Sequence, residues 1–185
     1  MFDNFHIFSA AELIARRRDL PQSPAVYLFL VRDGDVILET SGYFDHESKL
    51  PRRIDAHYHL YTGASATWGA RVESHLVRDA WASTLRRTLV SLEQRFSSIT
   101  SVGLGGVDGS EEGLSSWLAA HARIAVAECS DPFDQERAIL RSEPSPLNID
   151  GRRLHAYSQV LQRARNAAFP KTPRPSEPPP ADRHC

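Results

Sequence analysis

Residues 25–32, AVYLFLVR, admit little but a β-strand, and they constrain the rest of the chain. The run is apolar up to Arg32, opens after Pro24 and closes on a turn signal, Arg32-Asp33-Gly34-Asp35. VILET (36–40) is expected to answer it across a hairpin. YHLYTG (58–63) and RIAVAE (123–128) read as further strands, whereas 41–57 has no clean period and reads as a loop or insertion. A few short strands among helical stretches can bury an apolar face only by packing helices on a sheet. The expectation is therefore an α/β (α+β) domain with a small, mainly antiparallel central sheet flanked by helices.

The helical stretches carry their own punctuation. SAAELIARRR (9–18) starts with a capping box, Ser9 and Glu12, and places Arg16, Arg17 and Arg18 in its last turn. Helices are expected over about 68–78, over 83–96 with Ser83 as N-cap, and over 111–121. In the second, Leu85, Thr88, Leu89 and Leu92 mark one buried stripe; in the third, Leu114, Trp117, Leu118 and His121 share a face. Asp131-Pro132 starts another helix, which ends before Pro144, and a last one covers 153–168. A glycine-rich segment lies at 101–110. From Phe169 onward six of 17 residues are proline, which reads as a disordered tail.

Composition excludes some functions and leaves others open. Hydrophobic residues are 41% and charged residues 24%, ordinary globular values. No apolar run approaches the roughly 20 residues of a membrane span, and the N-terminus places its acid before its arginines, unlike a secretory signal. A cytoplasmic location is the default expectation. Cys129 and Cys185 suggest neither a disulfide nor a structural zinc site. A net charge of −1 announces no nucleic-acid binder, yet all basic residues but Lys49 and Lys171 are arginine. Arginine's planar fork suits phosphate, and a genome rich in arginine codons gives the same bias. Composition leaves the partner open.

Chemistry enters through an ordered set. Tyr27 lies in the strand AVYLF, and Tyr61 and Gly63 lie in LYTG. Arg71 follows Gly63 by 8 residues and His75 follows Arg71 by 4, which puts both on one helix face. Glu136 opens a later helix, and Asn148 follows it by 12 within PSPLN. In this order AVY (25–27), YTG (61–63), Arg71, His75, Glu136 and Asn148 resemble the GIY-YIG nuclease family, over about 24–149. STLRRTL, LSSWLAAHA, QERAIL and PLNID also look like uncharacterised bacterial proteins with this domain.

The resemblance implies a metal-dependent endonuclease that hydrolyses DNA phosphodiester bonds. Such hydrolysis needs an activated water, counter-charge for the transition state and help for the leaving oxygen. Glu136, the one carboxylate of the motif, would hold Mg²⁺ or Mn²⁺, an ion that keeps most of its waters. Arg71 would grip a non-bridging phosphate oxygen, and Tyr61 resembles the family's general base. Tyr27 would position water or substrate. His75 would relay a proton or donate to the phosphate, and Asn148 would order the active-site loop. Arg78, Arg86, Arg87, Arg152 and Arg153 are expected to grip the duplex.

The sequence also departs from the family. Ala25 stands in place of the first glycine, Thr62 in place of an aliphatic residue, and Ala64 where some members carry lysine. The link between the two tyrosine motifs is long, an insertion near 33–57. The alternative is a weak or inactive module of the same fold that binds DNA or a protein. The expected organisation is an N-terminal helical extension (1–23), the domain (24–168) and the proline-rich tail (169–185).

Overall fold

The computed structural model describes residues 4–97, 111–149 and 155–170. The glycine-rich segment, Arg152, Arg153 and most of the proline-rich tail lie outside those residues. Among the described residues, five strands form one antiparallel sheet in the order β1-β5-β2-β4-β3. They are β1 (His6–Ser9), β2 (Ala25–Arg32), β3 (Arg53–Ile54), β4 (His57–Ser65) and β5 (Ala122–Glu128). The helices are α1 (Ala10–Ala15), α2 (Gly34–Thr40), α3 (Trp68–Leu76), α4 (Thr84–Phe96), α5 (Glu111–His121), α6 (Pro132–Ser142) and α7 (Ala156–Ala168). The expected small antiparallel sheet flanked by helices is what forms.

The apolar run of β2 has a simple cause. β2 lies at the centre of the sheet, with β4 on one side and β5 on the other, and both its faces are covered. Tyr27, Phe29 and Val31 enter the larger core beneath α1, α3, α4, α5 and α7. Val26, Leu28 and Leu30 alternate into a smaller core with Ile139 of α6. A strand buried on both faces has no polar alternation to show. β4 shifts register at Leu60, since Phe29 faces Tyr61 but Leu30 faces His59. This bulge brings the consecutive residues Leu60 and Tyr61 into the same core.

Two sequence expectations are corrected here. VILET is not the second arm of a hairpin; it lies within α2, after Asp33 turns the chain with φ 55°. β2 already has two strand neighbours, so no edge remains for it, and Ile37 and Leu38 bury as a short helical face instead. The N-terminal segment is not purely helical. Ser9 does cap α1, accepting from the Glu12 N–H at 3.1 Å, but the residues before it form β1 against β5. α1 then ends at Ala15, which leaves Arg16, Arg17 and Arg18 beyond it rather than in its last turn.

Arg86 was expected on the DNA-gripping surface and is instead fully buried. Its guanidinium donates to the Glu111 carboxylate (3.1 Å), the Glu111 carbonyl (2.8 Å), the Leu76 carbonyl (2.9 Å) and Ser115 Oγ (3.1 Å). One side chain thus ties the end of α3 and the starts of α4 and α5 together. Breaking a buried ion pair costs about 3–5 kcal/mol when one charge is stranded. Glu111 keeps 40% of its side chain exposed, so Arg86→Ala should lie near the lower end of that range. Urea unfolding of the variant measures the loss; a loss below about 0.5 kcal/mol, the size of an ordinary surface change, would show that the clamp contributes little.

Candidate active site

The site begins with a close approach between two strands. Tyr27 of β2 pairs directly with Gly63 of β4, and its ring lies across that glycine. A Cβ on residue 63 would sit 2.5 Å from both Tyr27 Cζ and the phenol oxygen. Glycine is therefore required by space at this position. Tyr61 emerges two residues earlier on the same strand, and Phe29 lies edge-on to both tyrosine rings.

α3 covers this aromatic floor. His75 is wholly buried, with its ring centroid 5.4–5.7 Å from those of Phe29, Tyr61 and Tyr27. Its Nε2 is 3.0 Å from the Tyr27 hydroxyl and its Nδ1 is 2.6 Å from Ser83 Oγ. Ser83 also caps α4, accepting from the Arg86 N–H at 3.1 Å. A hydroxyl both donates and accepts, so the imidazole can present Nε2 to the phenol in either role while staying neutral. One turn earlier on α3, Arg71 reaches the Ala82 carbonyl at 3.4 Å.

A cleft of about 440 Å³ opens beside these groups and is lined by Tyr27, Tyr61, Arg71, Glu136 and Asn148. Five of the six residues singled out in the sequence thus share one wall-to-wall space. His75 is the exception: it lies behind Tyr27 and does not line the cleft, so it faces a phenol rather than a phosphate. Asn148 holds the backbone on either side of Thr62, accepting from its N–H at 2.8 Å and donating to its carbonyl at 2.7 Å. The carboxamide imitates a peptide group of a neighbouring strand. The Leu147 N–H adds a bond to the Leu60 carbonyl at 2.8 Å.

The model of the GIY-YIG catalytic domain family matches residues 26–167. The chain belongs to that family. No curated protein and no solved structure matches it. GIY-YIG domains are generally endonucleases, typically dependent on a divalent metal. No helix among the described residues is long and apolar enough to cross a membrane.

The departures from the GIY-YIG pattern now have surroundings. The Ala25 methyl is fully buried in the larger core and is simply packed there. Thr62 is more than a strand residue. Its hydroxyl lies 2.8 Å from both His59 Nε2 and Ser145 Oγ, in a buried network that fastens the turn carrying Asn148. Ala64 lines the cleft, as do Thr84 and Arg137. Ser83 was legible as a cap but not as the partner of His75, because its place beside the imidazole depends on how α3 and α4 pack.

Burial governs the titration of the site. Desolvation lowers the His75 pKa to about 3, with the Arg71 and Arg86 charges adding to it. His75 is therefore neutral at physiological pH. Desolvation also lowers His59 to about 4. Tyr27 is pushed well above the usual phenol range, by burial first and then by Tyr61, while the Arg71 guanidinium beside it pulls it back.

Two outcomes follow. Gly63→Ala drives a methyl into the Tyr27 ring, so the ring should move and the Tyr27–His75 contact should open; a crystal structure with the ring unmoved would contradict this. The acid dependence has a definite sign, because unfolded histidine binds protons near pH 6.5 while folded His75 and His59 resist them to about 3 and 4. Stability should be level above about pH 6.5 and fall as the pH drops toward 4, and His59→Gln should flatten part of that slope in thermal melts.

Proposed function

We propose that this protein is a divalent-metal-dependent endonuclease that hydrolyses DNA phosphodiester bonds in the Tyr61–Arg71–Glu136 cleft. The observation that carries the reading is the convergence of a guanidinium, a carboxylate and two phenols on one cleft from β2, β4, α3 and α6. Arg71 would take a non-bridging oxygen of the scissile phosphate with its planar fork. Glu136 would hold the metal ion. Among the described residues no three His, Cys, Asp or Glu side chains cluster as a ligand cage. A lone carboxylate fits Mg²⁺ or Mn²⁺ bound mostly through water and substrate phosphate. The chemistry such an ion supplies is charge neutralisation at the phosphoryl and leaving oxygens.

The chain's own groups do the rest. Tyr61, at the cleft wall, takes the part of general base; its proton is removed only when positive charge in the cleft lowers its pKa. Tyr27, held by His75 and ultimately by the α4 cap, orients the attacking water or the phosphate. His75 acts through Tyr27, fixing the direction of the phenol hydrogen, and this replaces the expected donation to phosphate. Asn148 keeps Tyr61 and Gly63 in register through the Thr62 backbone. Of the duplex-gripping arginines, Arg78 is exposed and Arg87 half-buried, and binding through such groups should weaken steeply with salt. A purely binding module of the same fold has no need to keep Arg71 and Glu136 at one cleft.

The test is cleavage of supercoiled plasmid with Mg²⁺ or Mn²⁺. Arg71→Ala should lose about 10²–10³-fold, the usual cost of removing one transition-state donor. Glu136→Ala should lose activity that extra metal does not restore. Undiminished cleavage by Glu136→Ala would assign the activity to another site or another protein.

A further inference from the structure

A second cavity lies on the same face of the sheet. It measures about 440 Å³ and is lined by Phe8, Leu13, Arg16, Trp68, Val126 and Glu128, among others. Strand register fixes its relation to the active-site cleft. One row across the sheet runs His6–Val126–Tyr27–Gly63. His6 and Val126 line the second cavity, whereas Tyr27 and Gly63 line the cleft. Two strand spacings of about 4.8 Å separate them, so the floors of the two cavities lie about 10 Å apart. The first turns of α3 divide them, with Trp68 on one side and Arg71 on the other. Along a nucleic-acid strand rising about 3.4 Å per step, that is about three nucleotides.

The chemistry of this cavity is specific. Its wall is aromatic, with Phe8 and Trp68 stacked at 6.4 Å and 22°. Trp68 is held in place from behind: its N–H donates to the Ser23 carbonyl and the Gly69 N–H to the Pro21 carbonyl, both at 3.1 Å. A Cβ on residue 69 would strike that carbonyl at 2.6 Å, so the α3 start is seated tightly. The Trp68 indole N–H donates to Glu128 Oε1 at 3.3 Å. That bond aims the Glu128 carboxylate across the aromatic wall and leaves it the lone pairs to accept further N–H donors. Arg16 contributes a cation to the lining, in an exposed 3.9 Å contact with Glu12.

We propose that this cavity receives a guanine base extruded from the substrate strand a few nucleotides from the scissile phosphate. The base stacks against the half-buried Phe8 ring, Trp68 being almost wholly covered; its adjacent N1–H and N2–H groups donate to the Glu128 carboxylate, and Arg16 meets the phosphate of the same nucleotide. Thymine and uracil present a single N–H flanked by carbonyls, which a carboxylate repels. The proposal rests on the nuclease reading for its substrate and narrows that substrate to DNA with an unpaired or extrudable base.

Binding and cleavage test it separately. In the full chain without metal, guanosine monophosphate should shift the Trp68 indole N–H resonance, identified as the one displaced by Glu128→Gln. Thymidine monophosphate should shift it at least tenfold less at equal concentration. Glu128→Gln should weaken guanosine monophosphate binding by tenfold or more without lowering Tm. In cleavage, duplexes bulged with guanine should be cut at least tenfold faster than duplexes bulged with thymine. Glu128→Gln should erase that preference. Equal shifts by both nucleotides, or binding untouched by Glu128→Gln, would overturn the proposal even if DNA is cleaved. Nucleotide binding as expected with no cleavage of any DNA would instead count against the nuclease reading alone.

Discussion

Everything in the candidate active site hangs on the contact between the Tyr27 ring and the bare backbone of Gly63. The two residues face each other across β2 and β4 with no room for a methyl group between them. The ring can lie flat over the strand, and its hydroxyl then meets His75. His75 in turn meets Ser83, and Ser83 begins α4. A chain of contacts thus runs from a missing side chain in a strand to the orientation of two helices. Glycine usually weakens a strand interior, and here the local loss is offset by a close approach that no other residue permits.

The polar groups around the site are arranged to hold it rather than to react. Arg86, the most buried arginine among the described residues, directs its donors to carbonyls and to Glu111 at the junction of three helices. Thr62, His59 and Ser145 fasten the segment that carries Asn148. Groups that line the cleft, such as Arg71 and Glu136, are half-buried and reachable. This division fits a preorganised site of the kind proposed, in which supporting groups are locked while Arg71 and Glu136 retain access.

Much of this was legible in the chain. The strands at 25–32, 58–63 and 123–128 and most helices came from periodicity and caps, because those signals are local. That Tyr27, Tyr61, Arg71, Glu136 and Asn148 belong together was implied by the resemblance to the GIY-YIG family, and all five line one cleft. What failed was decided at long range. VILET has strand composition, but five residues are too few to show a helical period, and the sheet had no edge to offer it. β1 is four residues long and polar or exposed along most of its length, so only its partner β5 reveals it. Arg86 looked like one more surface arginine because its partner Glu111 lies 25 residues away.

Asn148 has a further consequence for the protein as a solute. Beyond the two-residue strand β3, β4 is the border of the sheet, and an unpaired border strand is a template on which other chains assemble. Most proteins blunt such a border with charge, proline or another strand. Here the segment around Leu147 and a single carboxamide do the work, occupying the backbone of β4 while leaving the mouth of the cleft uncovered. A sixth strand in that place would have sealed the border and the cleft together. The same residue that ties its segment to Thr62 therefore also covers part of a border strand, and its loss would leave that backbone open to another chain.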